Sequence, residues 1–102
     1  MKLMDVIVKL MEYPAEQVVT KGFGEPDSYR GYYEDVAFTP VDNTTVGEMR
    51  NHAISALDET FNGYKGGSYK MDKNTNVWLA EYGHEGEELG PTLLGYMLGD
   101  FR

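Results

Sequence analysis

The chain has 102 residues, with 17 acidic against nine basic side chains, a formal net charge of −8 and no cysteine. Length and a 41% hydrophobic share predict one domain over residues 1–102 with a single modest core, and exclude intrinsic disorder. The missing cysteines exclude a disulfide framework and thiolate metal sites, and the acid excess argues against general binding to duplex DNA or an anionic membrane.

In chain order, Leu3, Val6, Ile7, Leu10 and Met11 form one apolar stripe at helical spacing over residues 3–12, which Pro14 ends. A valine- and threonine-rich strand is expected over residues 17–23, followed by turn formers at 25–31. Tyr32, Glu34, Val36 and Phe38 then alternate with Tyr33, Asp35, Ala37 and Thr39, which predicts a strand ending at Pro40. On that strand Glu34 and Asp35 point to opposite faces and cannot share a substrate.

Thr45 and Glu48 have the spacing of a capping box, in which each side chain satisfies a backbone N–H of the other's residue. Val46, Met49, Ala53, Ala56, Leu57 and Phe61 predict a second helix running to Asn62-Gly63. Strands follow at about 68–71 and 76–82, joined by Asp72-Lys73-Asn74-Thr75. Pro91 suits the first position of a last helix, with Leu93, Leu94, Met97, Leu98 and Phe101 as its stripe. The expected order is α-β-β-α-β-β-α, an α+β arrangement of helices on a mainly antiparallel sheet.

No apolar run is long enough to span a membrane, and Asp5 and Lys9 interrupt any signal-like stretch, so the cytosol is the expected location. Strict phosphate loops are absent: Gly22-Phe23-Gly24 has Asp27 where a dinucleotide fingerprint needs glycine, and residues 63–67 lack the Walker ending.

Two related segments are the most unusual local feature. Ser28-Tyr29-Arg30-Gly31-Tyr32-Tyr33 and Gly63-Tyr64-Lys65-Gly66-Gly67-Ser68-Tyr69-Lys70 each join tyrosine, a basic residue and glycine, and together hold five of the eight tyrosines. Lys65, Lys70 and Lys73 make a locally basic stretch around Asp72. Glycines let backbone N–H groups approach phosphate oxygens, Arg30 and Lys65 supply charge, and tyrosine rings stack on bases. The candidate ligand-binding residues are therefore Tyr29, Arg30, Gly31, Tyr32, Tyr64, Lys65, Gly66, Gly67 and Tyr69, for a small phosphate-bearing nucleotide. The plainer reading is that these are ordinary loops with solvated lysines.

Glu81, His84, Glu85, Glu87 and Glu88 form an acidic loop without the spacing of a known metal motif, so no metal or cofactor is expected. His52 falls within the second helix, and Ser68 lacks the last glycine of a nucleophile elbow because Lys70 stands there. Catalysis is accordingly not expected, although hydrolysis of the same nucleotide stays an alternative. The acidic surface, with Glu25, Asp27, Glu85, Glu87 and Glu88, also suits an inhibitor that imitates nucleic acid against a basic protein.

Taken in order, Ser28 to Tyr33, Asn43-Thr44-Thr45-Val46-Gly47-Glu48-Met49, Gly63 to Gly67 and Val77-Trp78-Leu79-Ala80 resemble small tailed-phage accessory proteins of this length. The resemblance implies counter-defence in an infected bacterium: sequestration of a nucleotide immune signal or, alternatively, inhibition of a CRISPR or restriction complex. A homo-oligomer is a further expectation, because three short helical stripes on a small domain leave apolar surface for a partner.

Overall fold

The computed structural model describes residues 1–63, 66–84 and 86–99. Helix α1 (Leu3–Leu10) buries Leu3, Val6, Ile7 and Leu10, the predicted stripe, and Met11 caps it while remaining exposed. Strands β1 (Val18–Ser28) and β2 (Val36–Thr45) pair antiparallel from Val18 opposite Thr45 to Ser28 opposite Val36. Helix α2 (Val46–Ala56) follows directly. Strands β3 (Thr60–Asn62) and β4 (Ser68–Lys70) form their own antiparallel hairpin. Strand β5 (Val77–Ala80) runs parallel to β2, and β6 (Gly86–Glu88) runs antiparallel to β5. The main sheet thus has the order β1-β2-β5-β6, and α3 (Pro91–Met97) closes the described chain.

The α+β class and the expected order of helices and paired strands hold, with β3 and β6 as short additions to the predicted strands. Several boundaries differ. Residues 25–28 extend β1 across an irregularity between Phe23 and Pro26 instead of forming a turn. Residues 32–35 are a turn and not strand, because Tyr32 N–H donates to the Tyr29 carbonyl and Asp35 N–H to the Tyr32 carbonyl. The second strand runs through Pro40 to Thr45; its pairing with β5 covers only Val36, Ala37 and Phe38, so no neighbour on that side needs the N–H that proline lacks.

Helix α2 stops at Ala56, five residues before Phe61 in the sequence. Leu57 is extended, Asp58 has a φ of 62°, and Asp58 N–H donates to the Met71 carbonyl at 2.8 Å. The chain is thereby drawn into pairing beside β4, and Phe61 lies opposite Tyr69 in the hairpin. At the other end of α2 the capping box is half made. Glu48 N–H donates to Thr45 Oγ1 at 3.2 Å, but the Glu48 carboxylate accepts from Thr44 Oγ1 at 2.8 Å, since Thr45 still belongs to β2.

The core lies between the helices and one face of the main sheet. Val6, Ile7 and Leu10 of α1, Val46, Met49 and Ala53 of α2, and Leu94 of α3 meet Val19, Phe23, Val36, Phe38, Val77 and Leu79. Strand alternation then turns Ala37 and Trp78 to the opposite face, where they sit side by side in the β2–β5 register. Phe101 of the predicted last stripe lies outside the described residues. No described helix is long and apolar enough to cross a membrane.

Candidate functional site

The two tyrosine loops meet at one cleft of about 440 Å³. Tyr32, Glu34 and Asp35 come from the turn between β1 and β2, and Ser68, Tyr69 and Lys70 from β4. Asp72, Asn74, Thr75 and Asn76 of the β4–β5 turn complete the lining. The volume falls in the range usual for small-molecule sites.

The first wall is organised around Asp35, which is only 8% exposed. Its Oδ2 accepts from Trp78 Nε1 at 2.9 Å, and its carbonyl accepts from Tyr29 N–H at 2.9 Å. The Tyr29 ring stacks on the Trp78 indole with centroids 4.3 Å apart and planes 11° from parallel. Ser28 Oγ donates to the Tyr33 carbonyl, which ties the end of β1 to the same turn. Burial pushes the Asp35 carboxyl above its ordinary value, with Glu88 and Glu34 adding to the rise and the indole hydrogen bond opposing it.

Glu34 sits on the exposed side of this wall and accepts the Tyr32 hydroxyl at 2.6 Å. That carboxylate holds the Tyr32 hydroxyl above the usual phenol range. Both acidic neighbours therefore line the same cleft, contrary to the expectation that they face opposite ways. The period of two applies to strands, and residues 34 and 35 lie in a turn.

The second wall is held to the first by an aromatic contact. Tyr33 and Tyr69 have ring centroids 5.6 Å apart, and Gly63 lies beneath them. A Cβ on Gly63 would come within 2.9 Å of Tyr69 Cε2 and 3.2 Å of Tyr33 Cγ, so this glycine permits the approach of the two loops. The third wall is an Asx turn. Asn74 N–H donates to Asp72 Oδ1 at 2.8 Å, and Asp72 N–H donates to Thr75 Oγ1 at 2.8 Å.

The expected site residues separate in space. Tyr32 and Tyr69 share the cleft. Tyr29 is spent on the Trp78 stack, and Gly31 is packed against the Tyr29 ring, 2.5 Å from where its Cβ would fall. Gly66 and Gly67, with φ of 95° and 86°, make the turn between β3 and β4 and do not line the cleft. Tyr64 and Lys65 lie outside the described residues.

Arg30 also lies off the cleft lining. Its backbone N–H donates to the Gly83 carbonyl, and its Nη1 donates to His84 Nδ1 at 2.8 Å. Of the expected basic stretch, Lys70 lines the cleft, Lys73 lines a neighbouring hollow with Met4 and Asp58, and Lys65 lies outside the described residues. Among the described residues, the cleft carries three carboxylates against the single ammonium of Lys70.

Sequence reasoning missed Glu34, Asp35, Asp72, Asn74 and Asn76 as lining residues, and Trp78 as their support. The one available signal was the density of Asp and Asn over residues 72–76, read there as turn chemistry alone.

The remaining candidates are elsewhere. His52 lines a separate hollow of about 360 Å³ with Glu25, Asp27, Glu48 and Tyr82. Burial and Glu25 raise the Asp27 carboxyl, while Arg30 lowers it. Glu87 and Glu88 are exposed on β6, and Glu85 lies outside the described residues. The described residues contain no group of three or more histidine or carboxylate side chains placed to hold a metal ion. No protein-family model, curated protein or solved structure matches the chain.

Proposed function

We propose that this chain is a non-enzymatic binding domain that sequesters a small nucleotide-type ligand in the cleft between its two tyrosine loops. One observation carries the reading: Tyr32 and Tyr69, from segments far apart in sequence, line a single cleft with Lys70 and a row of hydrogen-bonding side chains. A base stacked on a tyrosine gains about 1–3 kcal/mol. The carboxylates and asparagines offer acceptors to ribose hydroxyls and base amino groups, and the Lys70 ammonium adds a donor to the same lining. Neither histidine lines the cleft, which favours holding a ligand over turning it over. With the resemblance to phage accessory proteins, the corresponding role is to lower the free concentration of a host nucleotide signal.

The test is a thermal-shift panel of cyclic di- and trinucleotides, ADP-ribose derivatives, nucleotides and nucleosides. Stabilisation by at least one of them, lost in Tyr32→Ala, is the expected result. Tyr32 is 56% exposed, so its removal leaves the core intact. No stabilisation by any compound would remove the proposal.

A second reading rests on β6, an outer strand whose Glu87 and Glu88 side chains are exposed. It makes the chain an acidic inhibitor of a basic protein. This reading predicts salt-sensitive binding to a basic nuclease or regulator, abolished by Glu87→Lys with Glu88→Lys; binding that survives the double reversal argues against it.

A further inference from the structure

We propose that the cleft selects its ligand by the amino- and hydroxyl-bearing end, not by phosphate, and that Asp35 is the specificity-determining acceptor. This inference rests on the cleft being the binding site and adds which part of the ligand it reads.

The first argument is charge. Among the described residues, the lining sets Glu34, Asp35 and Asp72 against one ammonium, Lys70, and Arg30 is engaged at His84. Screening in physiological salt acts over about 8 Å, so carboxylates lining the same cleft as a phosphate repel it with little attenuation. Each added phosphate therefore weakens binding.

The second argument is the state of each carboxylate. Glu34 uses one oxygen for the Tyr32 hydroxyl, Asp35 one for the Trp78 indole, and Asp72 one for the Asn74 amide. An ionised carboxylate offers about four acceptor positions, so each keeps capacity for N–H or O–H donors. The cleft is thus an array of oriented acceptors, complementary to donors.

The third argument is orientation. Asp35 is more than nine-tenths buried, yet it belongs to the lining. The Trp78 indole, itself stacked by Tyr29, holds its carboxylate in place, and the backbone of the turn is closed by the Tyr29–Asp35 and Tyr32–Asp35 hydrogen bonds. A fixed buried acceptor discriminates strongly, because a ligand without the matching donor leaves it unpaired. The exocyclic amine of adenine, cytosine or guanine, or a ribose hydroxyl, supplies that donor; a phosphate does not.

The experiment titrates the intact protein at constant ionic strength, following the fluorescence of Trp78, the sole tryptophan. The probes are adenosine, cytidine and guanosine, their mono- and triphosphates, and inorganic tripolyphosphate. The expected result is binding of at least one nucleoside, a loss of tenfold or more from nucleoside to triphosphate, and no binding of tripolyphosphate.

Asp35→Asn keeps an oxygen for the Trp78 indole and removes the charge. It should weaken nucleoside binding at least tenfold and narrow the gap to the triphosphate, with an unchanged circular dichroism spectrum. Glu34→Gln, at the exposed rim, should narrow the gap without the tenfold loss, and it serves if the Asp35 variant does not fold. Affinity that rises with phosphate number, or tripolyphosphate binding, overturns this inference and leaves the binding reading standing. Binding of none of the probes also overturns this inference, whereas the binding reading falls only if the whole thermal-shift panel fails.

Discussion

Asp35 shows how one residue joins packing to recognition. Its carboxylate satisfies the indole N–H of Trp78, and that residue's ring supports Tyr29. Asp35→Ala leaves the half-buried indole N–H without this acceptor and should cost about 1–3 kcal/mol in urea denaturation, whereas Asp35→Asn should cost clearly less. Asp27 gives a pH-dependent case. Its carboxyl is raised above 3.8 by burial and Glu25, with Arg30 opposing, so the folded protein holds this proton more tightly than the unfolded chain. The sign follows: its ionisation costs stability above the raised folded value, and the cost shrinks as pH falls towards 3.8. Asp27→Asn should therefore raise the melting temperature at neutral pH, with the advantage shrinking as pH falls and vanishing only below 3.8. A thermal melt series across pH checks this, and a gap that widens on acidification contradicts it.

Among the elements, the edge pairing of β6 depends on one glycine. A Cβ at Gly86 would lie 1.7 Å from the Leu79 carbonyl oxygen, a backbone atom of the neighbouring strand that cannot move aside alone. Gly86→Ala should therefore separate β6 from β5 and destabilise by about 1–3 kcal/mol or more, with faster amide exchange at Leu89, whose N–H donates to Val77. At the start of α2, Thr45→Ala removes the side-chain acceptor for Glu48 N–H and should cost about 1 kcal/mol. The helix stripes were legible in the sequence because the 3.6-residue period repeats over two or more turns. Of the three-residue strands, β4 was marked by the polar turn that follows it, whereas β3 and β6 were too short for alternation to register. Residues 32–35 alternate well enough to imitate a strand, and the local hydrogen bonds of the turn prevail over that pattern.

For the whole molecule, the core and the cleft lie on different sides of the same frame. Phe38 packs against Phe23 with centroids 4.4 Å apart, and both are fully buried. Phe38→Ala should cost about 3–5 kcal/mol, read as a lower denaturation midpoint, and should loosen the β2–β5 pairing that carries Trp78. A cleft that stays competent for ligand in such a variant would show that the two sides are uncoupled.

What the sequence determined by itself is the α+β class, the order of the helices, the buried faces of α1 and α2, and the bringing of tyrosine to two loops. Those properties follow from local periodicity, caps and turn formers, all of which act within a few residues. Which of those tyrosines share a cleft was decided only by the tertiary structure. The parallel β2–β5 pair sets Trp78 beside the turn that holds Asp35, and the Tyr33–Tyr69 contact closes the second loop against the first. The charge of the site was decided the same way. Arg30 turns to His84, Lys73 lines another hollow, and Glu34, Asp35 and Asp72 share the cleft with Lys70, so among the described residues its lining is acidic. Charge along a chain adds by neighbourhood in sequence, but a ligand meets only the side chains that folding brings within a few ångströms.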